Sequence, residues 1–259
     1  MSMHTTGRVA LVTGANKGIG RAAAERLAEL GMTVLVGARD ARRGREAAAA
    51  VRASAARASG GDAHAVALDV TDPAVVRKAA AWIGERFGRL DVLVNNAGIT
   101  GSGRVRPQDA LDQIPSTVDV DMVRAVFETN VFGVITVTNA VLPLLRRSPV
   151  PRIVNLSSGA ASLAITAAPG GPLAELPASA AYSPSKTAVN ALTVQYANEL
   201  RKEGVLVNAA DPGYVDTEIN DHGGFLTPAQ GAEVVVRLAT LDADGPTGGF
   251  FNADGPLPW

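Results

Sequence analysis

Apolar positions along this chain follow two alternating rhythms. Short, continuous apolar runs rich in β-branched residues recur at 9–13, 33–36, 65–68, 91–95, 152–156 and 205–209. Between them lie alanine-rich stretches of helical length, at about 19–30, 41–58, 73–87, 117–145, 180–203 and 228–238. Strands that are apolar at every position, rather than at every second one, belong to a sheet buried on both faces. Their alternation with helices predicts right-handed βαβ units. The expected fold class is α/β: a single-domain, doubly wound parallel sheet (Rossmann-like) with helices on both faces, spanning residues 1–259. No internal repeat or low-complexity linker divides it. The four consecutive alanines from Ala47 fit a helix, where alanine is the best former.

Two stretches break the rhythm. Residues 99–116 carry Gly101, Gly103, Pro107 and Pro115, and residues 159–179 carry Pro169, Gly170, Gly171, Pro172 and Pro177. Both read as loops, and both follow a predicted strand. Ligands of open α/β sheets bind beyond the carboxyl ends of the strands, so both loops should border a site.

Composition narrows the chemistry. With 24 Lys+Arg against 25 Asp+Glu the net charge is -1, which does not suit a nucleic-acid surface. There is no cysteine, so disulfides, thiolate nucleophiles and cysteine-based metal sites are excluded. His4, His64 and His222 are scattered, so no metal site is expected and a Ser-His-Asp triad is poorly supplied. No uninterrupted apolar run reaches the length of a membrane span, and the N-terminus lacks a signal-peptide pattern. The expected location is the cytoplasm.

The first strand ends in Thr13-Gly14-Ala15-Asn16-Lys17-Gly18-Ile19-Gly20, and a helix follows. Gly14 permits a tight exit from the strand, Gly18 lets backbone approach a pyrophosphate, and Gly20 lets the helix pack close to the sheet. The helix start then offers unpaired N–H groups and a positive dipole end to phosphate. The spacing differs from G-x-G-x-x-G.

Thr13–Gly20 resembles the TGxxxGxG motif of the short-chain dehydrogenase/reductase family. The match runs on in order along nearly the whole chain, through Asp69-Val70, Asn95-Asn96-Ala97-Gly98, Asn130, Ser158, Tyr182-x-x-x-Lys186 and the Pro212-Gly213-Tyr214-Val215-Asp216-Thr217 segment. Gly37-Ala38-Arg39-Asp40 and the closing Pro-Trp are most similar to carbonyl-reductase-like members. The resemblance implies that Asp69 and Val70 contact adenine, that Asn96, Ala97 and Gly98 pass the adenosine ribose, and that Pro212, Gly213, Val215 and Thr217 border the cofactor. It implies catalysis by Asn130, Ser158, Tyr182 and Lys186. Tyr182 would give a proton to the carbonyl oxygen as hydride reaches the carbon, and Ser158 would hydrogen-bond that oxygen. Lys186 would hold the nicotinamide ribose and tune Tyr182, while Asn130 would position a water that relays protons. Ser157 competes with Ser158 for the serine role. Asn130 could instead be a buried polar residue with a local partner.

Residue chemistry agrees with this set. Tyr182 and Lys186 stand at i and i+4 of a predicted helix and share a face. A phenol titrates too high for proton transfer at neutral pH, and a neighbouring ammonium lowers it. The whole chain has only four lysines, Lys17, Lys78, Lys186 and Lys202, so their placement carries information.

The resemblance also bears on the cofactor. Members that prefer NAD usually carry an acidic residue at the end of the second strand. Here that place is Gly37-Ala38, and Arg39 follows, whose guanidinium suits a 2′-phosphate. Lys17 and Arg43 could add charge, Asp40 is a complication, and Arg39, Arg42, Arg43 and Arg45 could instead form a solvated helix start. The expected cofactor is NADP(H) and the expected activity is carbonyl reduction. An oxidative alcohol dehydrogenase, a C=C reductase and a non-catalytic NADP(H) sensor remain alternatives. Ile99, Gly159, Ala160, Tyr214 and residues 216–226 are candidate substrate walls. The stretch from Ser158 to Tyr182 is longer than in many members. Its Leu163, Ile165, Leu173 and Leu176 could rim the pocket or cover the outer face of the 180–203 helix. A small-molecule substrate, no nucleic-acid or membrane partner, and a homo-oligomer (dimer or tetramer) are expected.

Overall fold

The computed structural model describes residues 5–58, 60–101, 112–171, 173 and 177–259. Seven strands form one parallel sheet in the order β3-β2-β1-β4-β5-β6-β7. They are β1 (Val9–Val12), β2 (Thr33–Ala38), β3 (Asp62–Ala67), β4 (Val92–Asn95), β5 (Arg152–Leu156), β6 (Leu206–Ala210) and β7 (Phe250–Phe251). The helices are α1 (Gly18–Glu29), α2 (Ala41–Arg57), α3 (Pro73–Phe87), α4 (Val120–Phe127), α5 (Gly133–Leu145), α6 (Leu163–Thr166), α7 (Tyr182–Leu200) and α8 (Pro228–Ala239). The strand order reverses between β1 and β4, which opens a crevice beyond their carboxyl ends.

Side-chain alternation on each strand builds two cores. Ala10 and Val12, Val34 and Val36, Val92 and Val94, and Val154 face α1, α2 and α8. Val9, Leu11, Leu35, Leu93, Ile153 and Val207 face α3, α5 and α7. Each such side chain stabilises the fold by about 1.5–3 kcal/mol. The expectation of a doubly wound α/β sheet with helices on both faces is met.

The boundaries differ in four places. β3 begins at Asp62, earlier than its apolar run; at this sheet edge Asp62 pairs with Arg52 and His64, and His64 packs against Trp82 and Phe87 of α3. β7 was not expected: two residues give no periodic signal, and only pairing with Ala209 and Ala210 makes them a strand. The predicted loop at 159–179 contains a turn of 3₁₀-helix at Gly159–Ala161 and the short α6. Ser162 caps α6 by accepting from the Ile165 N–H at 3.1 Å. The helix predicted at 117–145 is two α-helices joined by a π-helical turn at Glu128–Phe132.

Val120–Leu145 is long and apolar enough to cross a membrane by composition, with a mean hydropathy of 1.4. Its α5 half is instead a core element. Val134, Val137, Val141 and Leu145 are buried, and α5 packs on α3.

Candidate active site

The glycine turn between β1 and α1 sits in the crevice. Gly14 has φ 63°, and a Cβ there would lie 3.0 Å from Ala97 Cα. A Cβ on Gly20 would fall 2.3 Å from Asn96 Nδ2. Asn96 clamps the turn: its amide donates to the carbonyls of Thr13 at 2.7 Å and Gly14 at 3.2 Å. The Thr13 hydroxyl accepts in return from the N–H groups of Asn96 and Ala97, at 3.0 and 2.9 Å. The Asn-Asn-Ala-Gly run is thus a strut under the turn.

The start of α1 at the glycine turn has no side-chain cap. Asp40, Asp72, Asp119 and Thr227 cap α2, α3, α4 and α8 with their side chains. Lys17, at the start of α1, makes no such bond, and the first turn of α1 holds no acidic residue. Its first N–H groups remain open to an anion. Thr217 lies over the turn, its methyl 3.4 Å from the Cβ position of Gly18. Its hydroxyl is buried with no hydrogen-bond partner among the described residues. Open helix N–H groups and an orphaned hydroxyl fit the pyrophosphate of a dinucleotide.

The adenosine end is more exposed. Arg39 and Arg43 point to solvent beyond β2. The Asp40 carboxylate accepts from the Arg43 N–H at 2.8 Å, so it is spent as the α2 cap. Asp69 is half-buried, and its carboxylate is held by the Thr71 N–H and hydroxyl at 3.0 and 2.7 Å. Val70 is buried against Gly133, at the end of the π-helical turn.

Asn130, Ser158, Tyr182 and Lys186 come together beyond the ends of β4 and β5. The π-helical turn turns Asn130 inward. Its Oδ1 accepts from the Ile99 N–H at 2.8 Å, and its amide donates to the Ile99 carbonyl at 2.9 Å and to Ser185 Oγ at 3.0 Å. Both Asn130 Oδ1 and Lys186 Nζ approach Gly98, at 3.3 and 3.4 Å from its Cβ position. Lys186 Nζ donates to the Leu156 carbonyl at 2.8 Å and lies 5.9 Å from the centre of the Tyr182 ring. Ser157 is buried and its hydroxyl donates to Asn190 Oδ1 at 2.6 Å. Ser158 is the half-exposed one and neighbours the Tyr182 hydroxyl.

Burial governs the titration of this group. It pushes the Tyr182 phenol up to about 12; the Ser158 hydroxyl opposes the rise and the Asp211 carboxylate adds to it. Burial also pushes the Lys186 ammonium down to about 8. Lys186 is not among the groups that shift Tyr182 in this geometry, so the expected lowering gives way to a rise set by burial.

Apart from Asn95, part of the Asn-Asn-Ala-Gly motif, sequence reasoning missed the residues that hold these groups in place. Asn95 Nδ2 donates to Asn155 Oδ1 at 2.8 Å and Thr138 Oγ1 at 3.1 Å, and Asn155 Nδ2 donates to Thr193 Oγ1 at 2.9 Å. These bonds pin α5 and α7 to the sheet beneath the site. Gln113 Oε1 accepts from the Ser179 hydroxyl at 2.8 Å and the Tyr182 N–H at 3.2 Å, replacing a cap for α7. Asp211, at the end of β6, accepts from the Gly213 N–H at 3.1 Å, and its other oxygen lies by Gly159. Burial pushes its carboxyl up. Asn95 had a sequence signal in the Asn-Asn-Ala-Gly motif, while for Asn155 the only signal was its place inside an apolar strand.

The 159–179 segment packs beside the start of α7, where the Thr187 hydroxyl donates to the Ala161 carbonyl at 2.9 Å. A cleft of about 500 Å³ lies between them, lined by Ala160, Leu163, Leu173, Ser183 and Thr187 among others. Pro172 and Leu176 lie outside the described residues, as do Gly103 and Pro107. Tyr214 and Phe225 lie with ring centres 6.0 Å apart and planes tilted at 59°, and both are exposed. Val215 is buried, while Pro212 and Gly213 carry the chain out of β6.

Comparisons with known proteins agree with this architecture. A family model for short chain dehydrogenase matches residues 8–223. Short-chain dehydrogenase/reductase 1 of Saponaria officinalis is 34% identical, over 97% of this chain and 96% of its own. (-)-Isopiperitenone reductase of Mentha piperita is 34% identical, over 96% of this chain and 98% of its own. The solved structure of salutaridine reductase from Papaver somniferum aligns with a TM-score of 0.76 at 31% identity, covering 95% of this chain and 99% of that one. The chain belongs to the short-chain dehydrogenase family. It is an oxidoreductase of small molecules, in a family that binds a nicotinamide cofactor.

Proposed function

We propose that this protein is an NADPH-dependent reductase that converts a ketone or aldehyde to an alcohol. The observation that carries the reading is the convergence of Tyr182, Ser158 and Lys186 beside an uncapped helix start. The reductase names of the relatives support the direction. Bound NADPH would supply the hydride that adds to the carbonyl carbon. Asn16, Lys17, Gly18 and Ile19 would hold its pyrophosphate through backbone N–H groups, and Thr217 through its hydroxyl. Lys17, Arg39 and Arg43 would take the 2′-phosphate, because no carboxylate stands free at the end of β2.

The chain's own part is proton supply and charge stabilisation. The Ser158 hydroxyl donates to the carbonyl oxygen and steadies negative charge developing there. The Tyr182 O–H bond breaks and its proton goes to that same oxygen, completing the alcohol. Keeping the phenol protonated through neutral pH suits a donor. Lys186, hung from the Leu156 carbonyl, stands under the Tyr182 ring to restore the proton. Asn130 holds the Ile99 backbone at the nicotinamide end.

The test is NADPH oxidation, followed by absorbance, with a panel of ketones and aldehydes. Tyr182→Phe should lower kcat by roughly 10²–10⁴-fold and leave NADPH affinity nearly unchanged. Turnover by Tyr182→Phe at the wild-type rate would remove Tyr182 as the proton donor.

A further inference from the structure

The loop that leaves β6 reaches across the crevice to the glycine turn. Thr217 touches Gly18, and the next residue, Glu218, forms an ion pair with Lys17. The side chains of Lys17 and Glu218 are 51% and 61% exposed, so the pair is reachable from solvent. Glu218 also feels Arg43 at the start of α2 and His222 on its own loop. Lys17, these two groups and a hydrogen bond from Lys17 hold its carboxyl below the usual range. Arg39 and Arg43 make no ion pair among the described residues. Among the described residues, Asp40 is spent as the α2 cap, and Glu218 is the carboxylate that pairs directly with a cation side chain, Lys17, at this end of the crevice.

We propose that Glu218 competes with the 2′-phosphate of NADP(H) for Lys17, and so limits how strongly the protein separates NADP(H) from NAD(H). The inference rests on the reading of NADP(H) as cofactor. The reasoning is one of charge. A phosphate monoester carries about -1.5 to -2 near neutral pH, against -1 for a carboxylate. It therefore displaces Glu218, but must first break an existing pair. A dinucleotide without the phosphate leaves the pair intact and bears no such cost. Exposed ion pairs are weak, so the penalty on affinity is small, roughly two- to five-fold, and it shrinks with added salt.

The experiment measures dissociation constants of NADPH, NADH and 2′,5′-ADP by titration calorimetry, for the wild type and Glu218→Gln. The side chain is exposed and the replacement is of equal size, so the fold should hold; circular dichroism checks this. Glu218→Gln should tighten NADPH and 2′,5′-ADP by about two- to five-fold and leave NADH unchanged. The gain should disappear when Lys17→Ala is added, as a pairwise cycle requires. Unchanged or weakened NADPH binding, or equal tightening of NADH, would overturn the proposal. A wild type that binds NADH more tightly than NADPH would instead overturn the cofactor reading, which the same titrations report separately.

Discussion

Lys186 is the residue whose environment departs furthest from what its type prefers. It is almost fully buried, with one carbonyl as its hydrogen-bond acceptor, and burial lowers its titration from 10.5 to about 8. A group that loses its proton earlier in the folded than in the unfolded chain makes stability depend on pH. Below pH 8 both states hold the proton, and the buried charge weakens the fold in full. Between pH 8 and 10.5 the unfolded chain binds more protons than the folded one, so stability rises with pH. Compared with Lys186→Met, the wild type should gain roughly 2–3 kcal/mol of unfolding free energy between pH 7 and 10.5. Urea unfolding of both proteins across that range checks it. A constant difference would mean that Lys186 titrates near its ordinary value. The proposed role of Lys186 beside Tyr182 requires this burial, since the site lies beyond the ends of β4 and β5.

Among the elements, α7 shows most clearly how local sequence and tertiary contact divide the work. Its spacing of Tyr182 and Lys186 is a helical property and was legible in the sequence. Its start was not. Ala181 has no capping side chain, and the first N–H is held by Gln113 and Ser179. Gln113 is distant in the chain and follows residues that offered only a loop signature. Gln113→Ala should cost about 1–2 kcal/mol, as the loss of a helix cap does. It should lower kcat/KM about tenfold by letting the Tyr182 turn shift, while NADPH affinity stays within about twofold. Thermal unfolding and steady-state kinetics measure the two effects. The inward turn of Asn130 has a similar origin, since a π-helical turn adds a residue without leaving a mark in apolar periodicity.

For the molecule as a whole, the open question the surface poses is association. Val120 and Phe132 are exposed at 56% and 52%, large for apolar side chains. With Val123 and Phe127 they form one groove on α4 and the π-helical turn. A net charge of -1 opposes contact between copies only weakly. The homo-oligomer expected from the family resemblance would give light scattering at a multiple of 26.5 kDa for the wild type; if it uses this face, Phe132→Glu should lower the mass to a single unit.

The parallel sheet and its helix layers were set by local pattern, because continuous apolar runs between amphipathic helices call for a sheet covered on both faces; the strand order was decided only by tertiary pairing. The glycine turn was equally local at Gly14, whose positive backbone angle demands glycine, whereas Gly20 is fixed by the approach of Asn96 from the end of the neighbouring strand β4. The roles of neighbouring like residues were not local. Ser157 and Ser158, or Asp40 and an acidic residue at a ribose, have the same chemistry in the sequence. They separate only when the fold turns Ser157 to Asn190 and gives Asp40 the open N–H groups of α2. Titration followed the same rule. The sequence put an ammonium near a phenol and suggested a lowered value, but the value depends on how much water the fold leaves around both groups. That is a property of packing between α7, β5 and the loops above them, and no stretch of chain contains it alone.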